Sequence, residues 1–156
     1  MTRRPTPRTS WPSVPAGDLP EGLVLYDGVC VMCSRWAAFV VARDAAGLFR
    51  FAPVQSPYGR AVAERLGVDP ERLETNAVVL GGRAHFKSRA ALEALARLPG
   101  WGWAGALRAL PRAPLDRMYD NVARNRYRLF GRTETCPVPT GPLRARVLTE
   151  PPPVGP

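Results

Sequence analysis

The stretch Leu23-Val24-Leu25-Tyr26-Asp27-Gly28-Val29-Cys30-Val31-Met32-Cys33 decides the fold. Its first four residues form an unbroken apolar run, the pattern of a short strand buried on both faces. Asp27-Gly28 stops the strand. A helix is predicted over 30–46, with Gly47 just past its last turn. Two cysteines three residues apart therefore open a helix directly after a strand. A thiol in that first turn meets unpaired backbone N–H groups and the positive end of the helix dipole. Both favour thiolate over thiol, so Cys30 is expected to have a lowered pKa and to act as the attacking nucleophile. Cys33 lies within reach, suited to resolve a mixed disulfide by closing a Cys30–Cys33 bond. The plainer alternative is two small residues filling a helix start. Asp27, at the strand end, either relays the proton of Cys33 or simply makes the turn with Gly28. An aspartyl phosphotransferase is rejected, because Val29 stands where that chemistry wants its second acid.

Working outward, residues 48–54 (LFRFAPV) return as a strand. Ser56 and Pro57 then cap and start a helix that Gly67 closes. Residues 76–80 and 83–87 flank Gly81-Gly82, the signal of a tight hairpin. Ser88 is expected to cap the next helix, with Ala91, Leu92, Leu95 and Leu98 on its apolar face. The order β-α-β-α-β-β-α predicts an α/β protein with a four-stranded mixed sheet and flanking helices, an arrangement that resembles the thioredoxin-like fold. Helices at 102–110 and 115–130, split by Pro111 and Pro114, make a C-terminal helical extension. Twelve of the eighteen prolines lie in residues 1–20 and 137–156. Those two segments are expected to be tails, around a core of 21–98 and an extension of 99–136 packed on it.

A chain of 156 residues with 46% apolar side chains supports one domain and excludes wholesale disorder. The net charge is +9, but the bases, nearly all arginine, are scattered from Arg3 to Arg146. That pattern reads as a solvated basic surface rather than a specific nucleic-acid patch. The longest apolar run, residues 36–42, falls far short of the roughly 18 residues of a membrane span. Three cysteines without an export signal point to a reducing cytoplasm. Nothing in the sequence calls for a cofactor.

Several residues outside the motif carry separate expectations. On a helical wheel over 115–130, Leu115, Met118, Val122, Leu129 and Phe130 share an arc, and Arg126 sits in its middle. A buried guanidinium needs a partner. Asp27 is one choice; another acid or helix-end carbonyls are the local alternative. Cys136 is read as a packed small residue, with a third redox thiol or a metal ligand as the alternative. His85 with Cys30, Cys33 and Cys136 completes a Cys₃His zinc set in name, yet only one close pair exists, so no metal is expected. Trp101 and Trp103 are expected to cap the core rather than meet a membrane.

Tyr26-Asp27-Gly28-Val29-Cys30-Val31-Met32-Cys33 resembles the signature of the DCC thiol–disulfide oxidoreductase family. The likeness continues through Phe51-Ala52-Pro53-Val54-Gln55-Ser56, Lys87-Ser88 and Ala123-Arg124-Asn125-Arg126-Tyr127-Arg128-Leu129-Phe130-Gly131 to Cys136-Pro137, covering about 22–148. The resemblance implies a small thioredoxin-like protein that exchanges thiols with a protein or small-molecule disulfide. It makes Cys30 and Cys33 the redox pair and Asp27 the signature acid. Thioredoxins carry a cis-proline before the third strand; here Glu74-Thr75-Asn76-Ala77 leaves Thr75 to occupy that place. The competing class is a redox-inactive or zinc-holding module that binds an acidic partner or nucleic acid through its basic surface.

Overall fold

The computed structural model describes residues 13–71, 75–132 and 141–150. Its elements in chain order are β1 (Val14–Pro15), β2 (Leu23–Tyr26), α1 (Val31–Arg43), β3 (Arg50–Pro53), α2 (Pro57–Leu66), β4 (Ala77–Leu80), β5 (Arg83–Phe86), α3 (Lys87–Ala96), a 3₁₀ segment (Gly102–Ala109), α4 (Arg112–Phe130) and a second 3₁₀ segment (Gly141–Arg146). The strands form one mixed sheet ordered β1-β5-β4-β2-β3. β2 pairs in parallel with β3 and antiparallel with β4, and all four of its residues are buried. Alternate side chains serve opposite faces. Leu23 and Leu25 join the cluster under α2, while Val24 and Tyr26 pack with Ala37, Val40 and Ala90 of α1 and α3.

The α2 boundaries follow the expected chemistry. Ser56 Oγ accepts the Gly59 N–H at 3.0 Å, Pro57 opens the helix, and Gly67 ends it in the left-handed region at φ 75°. The hairpin turns on Gly81 and Gly82, both at positive φ, as a two-residue turn of this kind requires.

Four expectations are corrected. The sheet has five strands, not four, because the Pro-rich lead supplies β1 beside β5. An edge position tolerates a proline, which has no N–H to donate. The segment after Gly141 is docked rather than a free tail: Leu148 N–H donates to Phe51 O at 2.7 Å, and Arg146 reaches Asp44 at 2.9 Å. Ser88 does not cap α3. Phe86 precedes that helix without a side-chain cap, and Ser88 Oγ donates to Asp116 of α4 instead. Finally, α4 starts at Arg112, since Pro114 falls within the first turn, where a missing N–H costs nothing.

α4 also departs from its wheel. Met118 and Leu129 are 68% and 64% exposed, while Tyr119 and Arg126 turn inward. Trp101 packs edge-on against Phe39, whereas Trp103 stands exposed beside it.

Asp44 anchors the C-terminal segment. Burial raises its pKa, but the N–H groups of Phe49 and Leu48 and the Arg146 guanidinium outweigh this and hold it below the usual value. The stabilisation is therefore complete above about pH 4 and is lost as pH falls through the lowered pKa. Urea unfolding of Arg146→Ala at pH 7 is expected to show a loss of about 1.5–3 kcal/mol. The gap to the parent should narrow at pH 3.

Candidate active site

Cys30 is the N-cap residue of α1, in extended conformation with φ −82° and ψ 120°. Its carbonyl accepts the Ser34 N–H at 3.0 Å, and its Sγ accepts the Cys33 N–H at 3.4 Å. The Cys30 thiol is lowered to about 7, chiefly by the hydrogen bond from the Cys33 thiol. Burial and the Asp27 charge oppose the shift; the Cys33 N–H and the Arg126 charge add to it. The same bond, with burial, pushes the Cys33 thiol upward. The two sulfurs thus hold one proton unequally, with the negative charge favoured on Cys30. Both cysteines are free thiols.

Access runs opposite to charge. Cys30 is 0% exposed, whereas Cys33 retains solvent-accessible surface. Cys30 is covered by the chain leaving α4: Cys30 and Arg132 form an antiparallel bridge, and Val31 N–H donates to Gly131 O at 3.4 Å.

Asp27, 2% exposed, lies under the same helix. Its Oδ1 accepts from Gln55 Nε2 at 2.7 Å and from Val29 N–H at 3.2 Å. Its Oδ2 accepts from Arg126 at 3.3 Å and from the Tyr127 hydroxyl. Arg126 also donates to Ala123 O at 2.8 Å, so both partners expected for it, the distant acid and a local carbonyl, are in place. Gln55 in turn accepts the Gly28 N–H at 2.9 Å. Burial and the bond to Asp27 both raise the Tyr127 pKa and keep it a donor. The carboxylate ties together β2, the loop after β3 and the end of α4. The Asp27 backbone also makes the expected turn, its main-chain carbonyl accepting the Cys30 N–H at 3.2 Å.

Thr75 is buried. Its Oγ1 accepts the Lys87 N–H and donates to Asn76 O, both at 2.7 Å. The first bond holds Lys87 at φ 53°, in the left-handed region. Beside it, Asn76 N–H donates to the Tyr119 hydroxyl at 3.0 Å, and that hydroxyl donates to Asn76 Oδ1 at 2.9 Å. Between α1, α3 and α4 a cavity of about 390 Å³ opens onto Cys33. His85 lies in β5 with Nε2 against Leu80 O at 3.3 Å, and Cys136 lies outside the described residues.

Gln55, Tyr119, Tyr127 and Arg132 were not singled out from the sequence. Gln55 and Tyr127 lie in stretches that carry the family likeness; Tyr119 and Arg132 had no signal of their own.

A mixed sheet flanked by helices, with a dithiol at the start of the helix that follows a central strand, defines a thioredoxin-like protein. The chain belongs to the DCC1-like thiol-disulfide oxidoreductase family, whose model matches residues 24–132. It is 30% identical over 131 residues to the uncharacterized protein YuxK of Bacillus subtilis (strain 168), covering 83% of this chain and 96% of that one. It is 34% identical over 116 residues to the chloroplastic DCC family protein At1g52590 of Arabidopsis thaliana, covering 73% of this chain and 67% of the relative. No solved structure matches it significantly. Among the described residues, no helix is long and apolar enough to cross a membrane.

Proposed function

We propose that the protein is a thiol–disulfide oxidoreductase working through Cys30 and Cys33. The observation that carries this is the Cys33 N–H donated to Cys30 Sγ at 3.4 Å, with the two free cysteines one helical turn apart at the N-terminus of α1. Cys30 is the nucleophile of the cycle, attacking either a substrate disulfide or a mixed disulfide on Cys33, and Cys33 completes the pair. One turn converts a substrate disulfide to two thiols while the pair closes its own disulfide; the reverse oxidises the substrate. Asp27, Gln55, Arg126 and Tyr127 position the Cys30 loop, and Thr75 supports the start of α3. We assign the pair to a reducing cytoplasm.

Titration of the purified protein in glutathione buffers, with alkylation of free thiols and mass spectrometry, tests this. A reversible Cys30–Cys33 disulfide is expected. A potential near about −270 mV would mark a reductant and one near about −120 mV an oxidant. A pair that never closes ends the oxidoreductase reading and returns attention to a binding role for the basic surface.

A further inference from the structure

We propose that the cavity beside Cys33 is the seat for the organic part of an apolar small-molecule disulfide or thiol, and that its sulfur is exchanged at Cys33. This rests on the redox pair proposed above and names its substrate class. The cavity, of about 390 Å³, falls in the size range of small-molecule sites. Met32, Trp36, Leu92, Leu115, Met118 and Val122 are among its apolar lining residues, and no charged side chain lines it. Its polar members are already engaged: Ser88 with Asp116, and Tyr119 with Asn76. An apolar substituent is therefore the group that gains on entering, while the charged arms of glutathione find no counterpart.

The same contacts disfavour an extended polypeptide. A peptide docking beside the dithiol by strand pairing needs free backbone groups next to Thr75. There the Asn76 N–H is held by Tyr119, a residue of α4, and the Asn76 carbonyl accepts from Thr75 Oγ1.

The position of the cavity also sets the order of bond changes. Cys33 lines it and Cys30 does not, so Cys33 stands between the seated group and Cys30. Exchange at sulfur runs through three sulfurs nearly in line, which makes Cys33 the central atom. In the reducing direction the Cys33 thiol passes its proton to the Cys30 thiolate and attacks the sulfur bearing R in R–S–S–R′. The S–S bond breaks and R′S⁻ leaves, taking the proton back from Cys30. The Cys30 thiolate then attacks Cys33 Sγ and the bond between Cys33 and the seated sulfur breaks. RS⁻ leaves through the cavity and is protonated by water. The two electrons that reduce R–S–S–R′ come from the dithiol, which ends as the Cys30–Cys33 disulfide. In the oxidising direction RS⁻ attacks Cys33, and Cys30 departs as the more acidic thiol, the better leaving group.

The test is single-turnover oxidation of the pre-reduced full chain by diethyl, dipropyl and dibutyl disulfides, by glutathione disulfide and by insulin. The second-order rate constant is expected to rise about fourfold for each methylene added to the seated arm. Glutathione disulfide and insulin should both react more slowly than dibutyl disulfide. In Cys30→Ser the reaction should stall with a butylthio group on Cys33, read by mass spectrometry. A flat chain-length series, a faster reaction with insulin, or a butylthio group placed on Cys30 by Cys33→Ser as quickly as on Cys33 by Cys30→Ser would overturn the proposal. If any of these occurs while the pair still closes in glutathione buffers, the substrate class is wrong and the oxidoreductase reading stands. A pair that never closes removes both.

Discussion

Cys30→Ser should lower multiple-turnover disulfide reduction by about a thousandfold or more, because a group acting as nucleophile or leaving group in each half of the cycle is lost. Cys33→Ala gives the complementary result. The Cys33 thiol is the largest influence lowering the Cys30 pKa, so its loss should move the midpoint of Cys30 alkylation upward from about 7, toward the ordinary thiol range. The direction is fixed: the thiolate predominates above the midpoint, so reactivity at pH 7 falls in the variant. Iodoacetamide rates measured from pH 5 to 10 check this. A midpoint that stays near 7 would show that the helix terminus and the Arg126 charge suffice to acidify Cys30 without the Cys33 thiol.

The second large effect is expected at Arg126. Asp27 is buried, with the guanidinium as its only cationic partner among the described residues. Arg126→Ala leaves that carboxylate uncompensated, and unfolding experiments should show a loss of about 3–5 kcal/mol. The double variant Arg126→Met with Asp27→Asn removes both charges and should recover a substantial part of it, the coupling expected of residues in direct contact. Arg126 also lowers the Cys30 pKa by its charge. The single variant should thus alkylate more slowly at pH 7 wherever it remains folded. Unchanged stability together with unchanged Cys30 reactivity would reduce the contact to surface decoration.

The centre of the molecule was legible in its sequence because its signals are local. An apolar tetrad, a turn, two cysteines at a helix start, and Ser56-Pro57 with Gly67 each specify structure within a few residues. What escaped depends on distant partners. The helical wheel placed Arg126 correctly on the inward arc but misjudged the arc itself. The side of α4 turned toward α1, α3 and the active site carries Tyr119, Ala123, Arg126 and Tyr127, while Leu129 looks outward and Met118, though 68% exposed, borders the cavity. A wheel ranks faces by hydropathy, and here a buried carboxylate made a polar face the inward one. Val14–Pro15 looked like part of a tail because proline discourages strands, yet an edge requires only one side to pair. Ser88 had the composition of a cap, and Asp116, 28 residues later, took its hydroxyl.

The contact between Tyr127 and Asp27 spans one hundred residues. At synthesis rates of about 5–20 residues per second, that separation corresponds to roughly 5–20 s on the ribosome. During that interval the dithiol has been made, but the cover over Cys30 and the arginine beside Asp27 have not. The reactive centre is therefore completed only after α4 has been made, although its cysteines come early. A growing chain carries two unshielded thiols, and the seated, proton-sharing pair exists only once the final helix has arrived.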